Sequence, residues 1–221
     1  EPLQDNVLVS LYEDINGNDV LDFQDDLMES TRSSFLGKYS FGVETDQMFK
    51  LVSRISHPFE DAKDGKTDED KLKLGNRETI GLRFRKINIP PGAIITDARL
   101  TLFAKKDKDD ENARIKIYGE DSSRPLDYYQ DDKVELRSRT NTNVDWVFGD
   151  WIHSSPYTSP DLSVVIQELV NSYNYDNGSL ALILSPNGSK EREAKSYEFN
   201  NNGADVPELS ITYMLPEQKA Y

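Results

Sequence analysis

Residues 80–103 read IGLRFRKINIPPGAIITDARLTLF, and their periodicity sets the architecture. Ile80, Leu82 and Phe84 alternate with Arg83 and Arg85. Ala98, Leu100 and Leu102 alternate with Arg99 and Thr101. Successive side chains of a strand point to opposite faces, so each half carries one apolar and one polar face, as a half-buried antiparallel strand does. Pro90-Pro91-Gly92-Ala93 between them is a rigid connection that ends one strand and sets the angle of the next.

The same period recurs on both sides. Ile115 and Ile117 sit between Arg114, Lys116 and Tyr118; then come Val134 and Leu136, Leu180, Leu182 and Leu184, and Leu209, Ile211 and Tyr213. Turn chemistry separates these runs at Lys105–Asn112, read as a charged hairpin tip, at Asn187-Gly188 and at Asn200–Gly203. Asn187-Gly188 between two strand candidates predicts a hairpin. One segment differs. Leu162, Val165, Ile166, Leu169, Val170 and Tyr173 recur at helical spacing, with Ser159 as cap, Pro160 in the first turn and Asp161 at the positive end of the dipole. The spacing predicts an amphipathic helix over about 160–173, on the sandwich or across its open end. Many strands with one helix predict an all-β fold: an antiparallel β-sandwich of jelly-roll type. The expected organisation is an N-terminal strand and loop over 1–48, a sandwich domain over 49–215 and a tail over 216–221.

Composition narrows the function. The 221 residues include 26 basic and 40 acidic side chains, a net charge of −14. Only 36% are hydrophobic and 10% aromatic, which suits a thin sandwich. Mean hydropathy is −0.69. No apolar run approaches the roughly 20 residues of a membrane span. Nothing forms a basic stripe, so nucleic acid is a poor partner and divalent cations are a good one. Cysteine is absent, which removes disulfides, thiolate chemistry and cysteine zinc sites. His57 and His153 are the only histidines. The chain opens at Glu1, as expected of a processed product or an excised segment, and its acidic, Asn/Asp-rich profile fits a secreted or cell-surface protein.

Several strings together resemble a module of bacterial secreted and cell-surface proteins: LKLG followed by TIGLRFRKINIPPGAIITDARLTLFA, then IKIYGEDSSRPLDYY, ELRSRTNTNVDWVFGDW, SPDLSVVIQELVNS, GSLALILS and PELSITY. The middle string is similar to the DNRLRE-type domain, a β-sandwich relative of large extracellular proteins. The likeness covers about residues 71–213. It implies a non-catalytic module for adhesion, matrix assembly or glycan attachment, and brings no catalytic residues.

Outside it, residues 14–25 place oxygen ligands at loop positions 1, 3, 5, 9 and 12, as Asp14, Asn16, Asn18, Asp22 and Asp25, with the Val20 carbonyl at position 7. This is the spacing of an EF-hand-type loop, and Ca²⁺ accepts that mixture of carboxylate, amide and carbonyl. The loop also resembles those of dockerin-like modules, where aspartate closes the site. Asp19 replaces the usual turn glycine, Asp25 is shorter than the usual glutamate, and Val7–Tyr12 alternates like a strand, so a sheet leads into the loop. A solvated Asx-rich turn is the alternative. The second acidic cluster, Asp61, Asp64, Asp68 and Asp70, lies among Lys63, Lys66 and Lys71 and reads as a screened, solvent-facing loop.

Trp146, Phe148 and Trp151 supply large apolar area and read as core or rim packing. The alternative is an exposed platform for a sugar ring, made by Trp146, Trp151, Tyr128 or Tyr129. The carboxylates fall in turns and no nucleophile motif contains a histidine, so an enzyme is not expected. The leading expectation is a calcium-stabilised structural or adhesive subunit that forms oligomers or polymers by strand addition. A polysaccharide-binding module comes second and an inert spacer third.

Overall fold

Pro90-Pro91-Gly92-Ala93 closes as a β-turn. The Ala93 N–H donates to Pro90 O at 3.2 Å, and Gly92 has a φ of 80°, the left-handed region that a type II turn requires of its third residue. The turn joins two ten-residue strands that leave it in different sheets. The computed structural model describes residues 7–13, 21, 26–34, 48–63, 66–75, 77–109, 113–129, 133–199 and 204–215. Its elements are β1 (Leu8–Glu13), β2 (Asp26–Arg32), β3 (Met48–Arg54), β4 (Asp61–Lys63), β5 (Lys71–Gly75), β6 (Ile80–Ile89), β7 (Ile94–Phe103), β8 (Arg114–Gly119), β9 (Val144–Val147), β10 (Pro156–Thr158), α1 (Ser163–Ser172), β11 (Tyr175–Pro186), β12 (Glu191–Lys195) and β13 (Glu208–Met214).

The chain divides into two compact units, residues 1–47 with 215–221, and residues 48–214. In the first, β1 and β2 form an antiparallel ribbon from Leu8 opposite Arg32 to Glu13 opposite Asp26, with a bulge between Leu11 and Tyr12. The expected strand at Val7–Tyr12 is therefore present.

The second unit is an all-β sandwich with one helix. One sheet has the order β10-β7-β13-β3, the other β4-β6-β11-β8-β9, and β12 pairs with β5 in a two-stranded sheet. The named strands all pair antiparallel. Leu100, Leu102, Leu209 and Ile211 from one sheet and Leu82, Phe84, Ile115, Ile117 and Leu182 from the other are fully buried. The period-two runs thus supply the core, as expected. Helix α1 packs on β7 of one sheet and β8 of the other, with Val165, Ile166, Leu169 and Val170 buried. At Gly119 of β8 an added Cβ would stand 2.7 Å from the Leu169 Cδ1, so a larger residue here would push the Leu169 side chain aside.

Four local expectations need correction. Ser159 does not cap α1. Its hydroxyl accepts from Leu100 N at 3.0 Å and its amide donates to Leu100 O, so the chain stays paired with β7 until Leu162. Asp161 serves the first turn instead, accepting from Ser163 N at 2.9 Å and Ala98 N at 3.0 Å. Burial opposes its charge, but these amides and the Ser163 hydroxyl outweigh it and hold the carboxyl below its usual range.

Val134–Leu136 is a 3-10 turn, not a strand. Val134 packs with Tyr128 against Ala62 and Ile183 on the outer face of the five-stranded sheet, while Leu136 is exposed. Strand β11 is consequently buried on both faces, Ala181 and Ile183 included. Asn187-Gly188 does not close a hairpin, because β11 pairs with β6 and β8 whereas β12 pairs with β5. The Asn187 amide donates to Arg114 O, and the segment crosses between sheets. Lys105–Asn112 is likewise a crossing from β7 to β8. Lys108 exchanges backbone hydrogen bonds with Trp151 at 2.8 and 2.7 Å, and Lys106 Nζ meets Glu193 Oε1 at 2.6 Å; residues 110–112 lie outside the described residues, as does Asn200–Gly203.

Candidate functional site

The six calcium-loop residues, Asp14, Asn16, Asn18, Val20, Asp22 and Asp25, lie outside the described residues. The ladder around them is described: Glu13 stands opposite Asp26, so the strands entering and leaving the loop are paired. Among the described residues, no group of three or more histidine and carboxylate side chains converges on one point. No helix among them is long and apolar enough to cross a membrane.

The aromatic residues divide. Trp146, Trp151 and Tyr128 are buried, so these three offer no open ring to a sugar. Trp146 meets Phe148 at 4.8 Å, Phe148 meets Trp151 at 5.3 Å, and Trp151 stacks on Tyr157 at 4.8 Å and 11°. Their packing reading is the one the structure adopts. Tyr128 lies flat over the sheet, where a Cβ on Gly81 would stand 2.5 Å from its Cζ, and the Arg137 guanidinium covers its ring at 4.3 Å. Tyr129 is 56% exposed. It sits edge-on to Phe59 at 5.0 Å, and Phe59 meets the exposed His57 at 5.2 Å. Two hydrogen bonds fix this ledge: the Tyr128 amide donates to Phe59 O at 2.9 Å, and the Arg83 side-chain Nε donates to Pro125 O at 2.9 Å. His153 is exposed, with Nδ1 3.2 Å from the Ser154 hydroxyl.

Two further features emerge that the sequence reading missed. The first is the sheet edge. In the two larger sheets, strands β4, β9 and β10 are edges of three, four and three residues, but β3 is an edge of seven. Among the described residues β3 pairs only with β13. The Ile55 amide donates to Pro207 O at 3.1 Å, on the β13 side. Antiparallel alternation then turns Ser53, Leu51 and Phe49 to β13 and directs the amides of Lys50, Val52 and Arg54 away from it. Met48 and Val52 are exposed apolar side chains on this strand. The alternation of Phe49, Leu51 and Ser53 with Lys50, Val52 and Arg54 was the available signal, blurred by valine on the outer face.

The second is a buried charged end of the sandwich. Asp61, expected in a solvent-facing loop, is 1% exposed in β4. Its backbone pairs with Leu82 of β6. Its Oδ2 accepts the Tyr197 amide at 2.9 Å. Burial, with the Glu198 charge behind it, pushes this carboxyl up to about 8. Glu198 lies in the 3-10 turn Tyr197–Phe199, and neither of its carboxyl oxygens meets solvent or a well-aligned donor. Burial pushes it up to about 7, its own amide and the Ser196 hydroxyl offsetting only part, and Asp68 adds to the rise. Asp70, by contrast, is exposed and paired with Lys105 Nζ at 2.6 Å, which holds its carboxyl low.

A groove of about 490 Å³ also runs along α1, lined by Ile95, Thr142, Gln167, Glu168 and Asn171 among others. Its carboxylate, Glu168, already accepts from Thr142 Oγ1, Thr142 N and Asn141 N at 2.6 to 2.8 Å, which keeps it ionised and engaged. No protein-family model and no curated protein matches this chain.

Proposed function

We propose that this protein is a non-catalytic, calcium-binding structural or adhesive subunit of an extracellular or cell-surface assembly, built by strand addition. The observation that carries the reading is the β3 edge. Seven residues with outward amides at Lys50, Val52 and Arg54 can template another strand, whereas the other edges of the two larger sheets, β4, β9 and β10, are only three or four residues long. Lys50 and Arg54 are the charges that keep such an edge from indiscriminate pairing. Calcium rests on the ligand spacing of Asp14–Asp25, a loop entered and left through paired strands. The extracellular setting rests on the acidic, cysteine-free composition and on the resemblance of residues 71–213 to a DNRLRE-type, jelly-roll module.

Val52→Pro removes an outward amide and leaves the β13 ladder in place. The expected result is loss of assemblies by light scattering with an unchanged circular dichroism spectrum. Val52→Lys serves the same purpose if proline perturbs folding. Assemblies of undiminished size in both folded variants contradict the reading.

A second reading, polysaccharide binding, is favoured by Tyr129, an open aromatic edge fixed on a rigid ledge with Phe59. It predicts a saturable hit on a glycan array that Tyr129→Ala removes; an array without hits ends it.

A further inference from the structure

Granted strand addition at β3, on which this rests, we infer that the strand received there is the acidic stretch at residues 1–5 of a second copy, and not the β3 of that copy. The receiving side lies on described residues. Lys50, Val52 and Arg54 turn their amides outward and are all exposed, so an added strand meets a cation, an apolar residue and a cation at every second position. Lys50 stands opposite the uncharged Thr212 of β13. Arg54 gives Nε to Glu208 at 2.6 Å, which leaves both Nη groups of a side chain that is 66% exposed.

A second β3 fits this edge badly. Antiparallel pairing of two copies about Val52 puts Lys50 of each opposite Arg54 of the other, and like charges directly opposite are destabilising. The complement is an apolar residue with carboxyls two positions to either side. The chain carries it around Leu3, Leu27, Ala62 and Tyr129. Residues 25–29 run into β2, which pairs with β1; residues 60–64 run through the buried β4; and Tyr129 belongs to the aromatic ledge. Residues 1–5, Glu-Pro-Leu-Gln-Asp, lie outside the described residues, and no described element claims them. Laid antiparallel on β3, they set Glu1 against Arg54, Leu3 against Val52 and Asp5 against Lys50. Pro2 then falls among the residues whose amides face away from β3, where its missing N–H costs no hydrogen bond and blunts the new edge. Donor and receiver are different parts of the chain. The contact is therefore heterologous, and it repeats from copy to copy into an open polymer instead of closing as a pair.

The test is a charge swap in the full chain with calcium present, read by light scattering. Lys50→Glu with Arg54→Glu sets an acidic edge against the acidic stretch. Glu1→Lys with Asp5→Lys sets a basic stretch against the basic edge. Each double variant alone should need about tenfold or more protein than the wild type to form particles, because attraction at two opposed pairs becomes repulsion. An equal mixture of the two should assemble as the wild type does, since each stretch finds an edge of opposite charge on the other variant. If Arg54→Glu, set beside Glu208, unfolds the protein, Lys50→Glu mixed with Asp5→Lys decides alone. Wild-type particle formation by Glu1→Lys with Asp5→Lys overturns the inference, and it leaves strand addition at β3, which Val52→Pro reads, in place. A mixture of folded variants that forms no particles overturns it too. A wild type that forms none ends this inference together with strand addition itself.

Discussion

Strands β11 and β12 follow one another in the chain and both are buried, yet they are buried by different means. In β11 the residues Leu180–Leu184 are all apolar and are closed by other apolar side chains on both faces. In β12, Arg192, Glu193 and Lys195 are 0%, 5% and 3% exposed, and each is closed by a specific partner. Arg192 donates Nε and Nη2 to Gly149 O at 3.1 and 2.9 Å, Glu193 accepts from Lys106, and Lys195 meets Asp205. Apolar burial is non-directional and tolerates drift, whereas buried charge must find its counterpart in space. Stability in the first region should therefore ignore pH, and around the second region it should not.

The largest effect expected is at Leu182→Ala, which opens a cavity between the sheets and costs about 2–5 kcal/mol in urea unfolding. That loss should be equal at pH 5 and pH 9; a strong pH dependence would dissolve the contrast. Gly81→Ala comes next. Its methyl would stand 2.5 Å from the Tyr128 ring, forcing the cover off the outer face of β11 at about 1–3 kcal/mol. Loss of Tyr128 packing in that variant should appear in near-ultraviolet dichroism. At the charged end the sign reverses. Asp61→Asn should gain about 1–3 kcal/mol over the wild type at pH 9, because the ionised form of a carboxyl raised to about 8 no longer has to be buried, and the gain should vanish near pH 4. The smallest effect is at Tyr129→Ala, within about 0.5 kcal/mol in the same unfolding assay, since the ring is exposed and only edges onto Phe59.

This contrast also explains what was legible in the sequence. The strands around Leu82, Leu100, Ile115, Leu182 and Ile211 were readable because alternation is a local record of burial. So was the amphipathic helix, apart from its start, where Ser159 is claimed by Leu100 rather than by the helix. The sheet crossings were not readable: Asn187-Gly188 has hairpin chemistry, but the flanking strands find partners far away in the chain. Val134 and Leu136 alternate as a strand does, yet only Val134 has a surface to cover. Among the candidate sites, a ring's burial depends on its neighbours, so Tyr128 and Tyr129 differ completely despite adjacency. Asp61 and the Tyr197 amide it accepts from are separated by more than a hundred residues, and no local pattern marks a carboxyl that finds its partner only after folding.

A calcium titration of metal-stripped protein followed by light scattering, with magnesium as control and Val52→Pro alongside, bears on ribbon loop and sheet edge together. Strand addition at β3 stabilised by calcium predicts particles that grow with calcium only, and only in the wild type. A wild type that stays a monodisperse monomer at high concentration with calcium contradicts it.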